Sequence, residues 1–134
     1  GKKFIDTDDV VVEKRKESIS DIFEKYGEGE FRKEERLAIE ELSKENGLVI
    51  ATGGGAVLDE NNVRALKRNG VILFLDRSLK NLVATADRPL SKDKEKLKNL
   101  FEKRYDVYKS CADAVIPADG EIADVVEKIK GVLL

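Results

Sequence analysis

The stretch Leu48-Val49-Ile50-Ala51-Thr52-Gly53-Gly54-Gly55-Ala56-Val57 is an apolar, β-type run that breaks into three consecutive glycines and then restarts. Three absent side chains in a row leave bare backbone against which a ligand can sit. Open α/β sheets place their substrates at a Gly-rich turn after the carboxyl end of a buried strand, where free amides line the crevice. A plain flexible loop fits the same glycines, so the rest of the chain must decide.

Strand and helix patterns alternate on either side of this run. Residues 3–5 read as a short strand ending in the acidic group Asp6-Thr7-Asp8-Asp9, and Val10 and Val11 open a helix. Ser18-Ile19-Ser20-Asp21 has capping-box spacing and predicts a second helix to about Tyr26. Gly27 and Gly29 interrupt it. A third helix is predicted over 31–46, stopped by Gly47, and a strand over 48–51. Asp59 starts a helix that Asn69-Gly70 ends, and 71–75 is a continuous apolar strand. A helix is expected over 78–84 and a polar, movable loop around Arg88-Pro89. A long amphipathic helix then carries Leu97, Leu100, Phe101, Tyr105 and Tyr108. A strand over 114–117 follows, and last a helix over 122–134 with Val125, Val126, Ile129, Val132 and Leu133 on one face. This alternation predicts an α/β fold, a parallel sheet covered on both faces.

Composition narrows the chemistry. With 134 residues, 41% of them hydrophobic, the chain suits one domain with a modest core, over 1–134. No apolar run approaches a membrane span. Charged residues reach 39% but nearly cancel to a net −2, so no global field points to nucleic acid or to a membrane surface. Cys111 is the one cysteine and has no partner for an internal disulfide; with no signal-peptide pattern, a cytoplasmic location is expected. Histidine is absent, which excludes a Ser-His-Asp triad and imidazole base chemistry, and leaves Asp, Glu, Arg, Lys and backbone to act. The chain starts with Gly and holds no Met, so a processed, tagged or deliberately cut piece is expected.

Four features stand in order along the chain: Asp6-Thr7-Asp8 after a strand, Phe31-Arg32 on a helix, Thr52 to Gly55, and Arg88-Pro89-Leu90 followed by Lys103-Arg104. Read as FIDTDD, SISDIFEKYGEGEFRKEE, VIATGGGAV, DRPL and KRYDVYKSCAD, they closely resemble shikimate kinase, a P-loop kinase of the nucleoside monophosphate kinase type, over nearly the whole chain.

The resemblance implies a three-layer α/β/α sandwich and transfer of the γ-phosphoryl group of ATP, with Mg2+, to the 3-hydroxyl of shikimate, in the route to chorismate and the aromatic amino acids. By it, Asp8 takes substrate hydroxyls beside the attacking oxygen, and Asp6 serves magnesium through water. Arg32 and Arg104 grip the substrate carboxylate, as planar guanidinium suits. Glu35 holds Arg32. Gly53, Gly54 and Gly55 present backbone to the substrate, and Arg88, in a lid over 85–95, closes on the nucleotide's transferring phosphoryl group. Phe31 is expected in the core.

Two departures fall on the nucleotide side. No G-x-x-x-x-G-K-[ST] loop occurs in the 134 residues, although in this family that loop follows the central strand, a unit of about thirty residues. Leu82 stands where relatives carry an Arg over the adenine. The expectation is therefore a sheet of about four strands lacking its middle one. Unpaired buried edges are costly, so the four should close up, or a partner segment or second copy should supply the fifth. Kinase activity is expected to be impaired; the alternatives are a shikimate-binding module and a folding or complementation fragment.

Overall fold

A computed structural model describes residues 2–78 and 94–133. The expected helix over 79–84, Arg88, Leu82 and the lid up to residue 93 lie outside the described residues. The chain divides into two compact units, Gly1–Gly70 and Val71–Leu134.

The first unit opens with strand β1 (Lys3–Asp6), which pairs in parallel with β2 (Leu48–Ala51) in the register Lys3↔Leu48 to Asp6↔Ala51. Between them run α1 (Thr7–Arg15), α2 (Ile19–Tyr26) and α3 (Glu28–Leu42). The first two starts are specified locally. The Asp6 carboxylate accepts from the Asp8 amide at 2.8 Å and caps α1, and the Ser18 hydroxyl accepts from the Asp21 amide at 3.1 Å and caps α2, as the capping-box spacing predicts. Helix α1 ends at Lys16, whose left-handed conformation (φ 57°) lets its amide reach the Val12 carbonyl.

Helix α3 departs from expectation at both ends. It starts three residues early, because Gly29 falls in the first turn, where helical amides have no internal partner. It ends at Leu42, where Lys44 and Glu45 donate back only three residues, to Glu41 and Leu42, and tighten the chain out of the α-helix. Gly47, at φ +75°, then turns the chain so that its carbonyl accepts from Lys3.

Helix α3 is the spine of this unit. Phe31 and Ala38 pack with Val11 and Ile22, and Phe23 lies 4.9 Å from the Phe31 ring. Ile39 is fully buried and meets Ala56 and Ala65 of the next elements, a 3-10 turn (Ala56–Leu58) and α4 (Glu60–Arg68). Asp59 caps α4 through the Asn61 amide at 2.9 Å.

The second unit holds β3 (Leu73–Asp76), α5 (Lys94–Cys111), β4 (Ala114–Pro117) and α6 (Ile122–Leu133). Strand β3 begins at Leu73 rather than at Val71, because the Asp113 carboxylate takes the Ile72 amide at 2.7 Å while the Asp113 amide takes the Ile72 carbonyl. Parallel pairing with β4 follows. Residues 94 and 95, expected in the lid, are helical. Helix α6 keeps only Val125 and Ile129 half-buried; Val126, Val132 and Leu133 are exposed, since one helix against a narrow sheet covers a single i,i+4 stripe.

The four expected strands are present as two parallel pairs, β1–β2 in the first unit and β3–β4 in the second. Each pair is held by packing within its own unit: β1 leads into α1 and α1 packs on α3, while β4 packs on α6.

Candidate active site

The residues singled out in the first unit converge at the carboxyl ends of β1 and β2. Asp6 closes β1, and Thr7 and Asp8 form the first turn of α1, with Thr7 fully buried. Two acids at a helix N-terminus are favoured there by the backbone dipole. Gly53, Gly54 and Gly55 follow β2, and α3 brings up Arg32 and Glu35.

Glu34 and Glu35 are consecutive and nearly buried, yet they serve opposite ends. Glu34 meets Lys14 at 3.0 Å and Arg15 at 3.3 Å, and the Lys14 ammonium holds its carboxyl below the usual range. Glu35 is 1% exposed and pairs with Arg32 at 3.0 Å. Burial pushes the Glu35 carboxyl up, against the pull of Arg32, and the charges of Asp8 and Asp59 add to the rise. Its Oε1 accepts from Arg32, while its buried Oε2 has no hydrogen-bond partner among the described residues.

The glycines sit directly over these groups. A methyl at Gly53 would lie 3.6 Å from Glu35 Oε2 and 3.8 Å from Asp8 Oδ1, ordinary contact distances. A methyl at Gly55 would overlap the Arg32 guanidinium, at 2.7 Å from Cζ and Nη1. Gly55 itself has φ −92°, so its need is room rather than an unusual backbone. Backbone, the buried Glu35, the half-buried Asp8 and a one-third exposed guanidinium thus meet in one place, and can present hydrogen-bond acceptors to hydroxyls and a planar cation to a carboxylate.

Arg104 lies in the second unit, on α5, and borders a cavity of about 180 Å³ with Phe74, Arg77, Phe101 and Tyr108. Its Nε is buried with no hydrogen-bond partner among the described residues. A larger cavity, about 820 Å³, is bordered by Arg36, Glu40 and Arg64 of α3 and α4 and includes none of the residues the sequence singled out. Among the described residues no group of three His, Cys, Asp or Glu side chains is arranged to hold a metal ion. The Asp6 Oδ1 is already engaged as the α1 cap.

Sequence reading missed Asn62, which is 2% exposed and donates from Nδ2 to the Ala56 carbonyl at 2.9 Å. An Asn in the first turn of a helix carries no pattern that separates it from an exposed one. No helix among the described residues is long and apolar enough to cross a membrane.

Comparison with known proteins agrees with this geometry. The family model for shikimate kinase matches residues 1–133. A shikimate kinase of Clostridium botulinum (strain Alaska E43) is 40% identical over 98% of this chain and 82% of its own length, and one of Clostridium beijerinckii is 42% identical over 98% and 79%. Among solved structures, shikimate kinase from Acinetobacter baumannii in complex with shikimate superposes with a TM-score of 0.91 at 33% identity, over 99% of this chain and 79% of that one. The enzyme from Aquifex aeolicus gives 0.87 at 33%, over 98% and 81%. On the family match over residues 1–133 and the likeness to these relatives, the chain belongs to the shikimate kinase family, a family of phosphotransferases.

Proposed function

We propose that this protein phosphorylates the 3-hydroxyl of shikimate, with ATP as donor and Mg2+ as the accompanying ion. The observation that carries the reading is the Asp8, Glu35 and Arg32 cluster beneath Gly53 and Gly55. In it, Arg32 takes the substrate carboxylate, a role that the family resemblance assigns to Arg104 as well, and Asp8 receives ring hydroxyls and orients or accepts the proton of the attacking one. Gly53, Gly54 and Gly55 let the ring lie against backbone. Asp6 reaches the metal through water from its uncommitted oxygen. Arg88 closes on the transferring phosphoryl group.

The burial of Glu35 matters to this scheme. Its carboxylate fixes the Arg32 fork, so the cation is oriented before substrate arrives and little is lost to ordering on binding. A coupled ADP-release assay on the full-length protein tests the proposal: saturable, shikimate-dependent turnover is expected. Shikimate binding in calorimetry without turnover would leave a binding module instead, and neither heat nor turnover would refute the reading.

A further inference from the structure

The strongest unexplained feature of the first unit is the side-chain amide of Asn62. It is nearly inaccessible, and only half of it is used: Nδ2 donates to the Ala56 carbonyl, six residues back, while the buried Oδ1 has no hydrogen-bond partner among the described residues. Burying an unpaired amide oxygen is unfavourable, and an apolar side chain of similar shape would avoid it. What retains the amide is the bond that Nδ2 makes.

That bond sits at the exit of the glycine loop. The Ala56 amide donates to the Gly53 carbonyl at 3.2 Å and the Leu58 amide to the Gly55 carbonyl at 3.2 Å, so the loop leaves β2 through a tight 3-10 turn. Such short turns have poor hydrogen-bond geometry and hold their shape weakly by themselves. The Ala56 carbonyl has one other backbone donor, Asp59 at 3.4 Å, a long contact. Asn62 therefore supplies the firm anchor of that carbonyl, and it does so from α4, whose Ala65 packs with Ala56 and with Ile39 of α3. Helix α3 in turn carries Arg32 and Glu35, with which Gly53 and Gly55 are in register.

We propose that Asn62 is a positioning residue for the substrate, acting through the Ala56 carbonyl to hold Gly53 to Gly55 at the distance from Glu35 and Arg32 that shikimate requires. This rests on the reading of that loop as the substrate's seat. Losing the donor frees the turn and lets the loop drift from the cluster, which weakens shikimate binding without touching the nucleotide.

Asn62→Asp keeps the shape and loses the donor; Asn62→Ser is smaller and covers the case in which the first variant does not fold. Two measurements are made on wild type and on each variant that folds, as judged by circular dichroism. The first is steady-state kinetics with each substrate varied in turn. KM for shikimate is expected to rise about tenfold, the scale of one buried hydrogen bond lost, with KM for ATP unchanged and kcat within about twofold. The second is amide hydrogen exchange, where protection at Ala56 and Leu58 is expected to fall while α1 and α2 are unaffected. An unchanged shikimate KM, equal rises for both substrates, or unaltered exchange at the turn overturns the proposal. If wild type neither binds nor phosphorylates shikimate, the functional reading fails first and takes the kinetic half of the proposal with it, while the exchange measurement still judges the anchoring bond alone.

Discussion

Substituting Gly55 by Ala probes the site more sharply than removing any charge. The added methyl would lie 2.7 Å from Arg32 Cζ and Nη1, closer than carbon and nitrogen can approach, so one group must move. The Gly55 backbone lies in the ordinary right-handed region, so alanine costs nothing there and even restricts the unfolded chain slightly. The loop is fixed by the following turn, so Arg32 is displaced and its 3.0 Å bond to Glu35 is stretched or broken. Breaking a fully buried ion pair costs about 3–5 kcal/mol. Here Arg32 is one-third exposed and keeps partial hydration, and Glu35, already raised by burial, can take up a proton, so about 2 kcal/mol of stability is the expected loss. Loss of an aligned guanidinium from a carboxylate should weaken shikimate binding by a similar amount, about thirtyfold. Urea unfolding and calorimetric titration read the two effects. The decisive measurement is the double mutant, because in an Arg32→Ala background the methyl meets nothing and Gly55→Ala should cost almost nothing more. Equal costs in both backgrounds, or wild-type affinity in Gly55→Ala, would refute the reasoning.

Gly53→Ala is expected to behave differently: its methyl makes only ordinary contacts, so stability should stay near wild type while shikimate affinity falls, since the methyl occupies ground above Asp8 and Glu35. The Glu35 carboxyl, raised by burial, holds its proton more tightly in the native state than in the unfolded one. Its contribution to stability is therefore full below the ordinary carboxyl range and is lost as pH rises through its native pKa, so wild type should lose stability relative to Glu35→Gln over that interval in paired urea titrations. Ser18→Ala removes the α2 cap and should cost about 1 kcal/mol in the same assay, with shikimate binding unchanged. The Tyr105 hydroxyl donates to Asp76 at 2.7 Å, which raises its phenol above the usual tyrosine range; alkaline absorbance titration should show a late-ionising tyrosine that Asp76→Asn returns toward normal.

Local features proved readable because their causes are local. Ser18 and Asp59 cap their helices within three residues, and the four short strands lie where β-type runs stand between turn residues. Phe31 is core, as its helical spacing with Ala38 suggests. Errors cluster where a distant partner competes for the backbone. Asp113, some forty residues away, delays β3 by capturing Ile72, and the outer face of α6 stays exposed because helical periodicity says which residues share a face and nothing of how wide the surface beneath it is.

The order of motifs by itself determined the family, because Asp8, Arg32, the three glycines and Arg104 stand in a set order along the chain that the sequence shows directly. Tertiary structure alone decided what surrounds these side chains. It set Glu35 and Glu34, neighbours of identical chemistry, in opposite environments, one buried under Gly53 and the other tied to Lys14. It also turned an unremarkable Asn62 into the anchor of the loop. The reason is that burial and desolvation are properties of what surrounds a side chain, and those surroundings are assembled from α1, α3, α4 and the glycine turn only when the chain has folded.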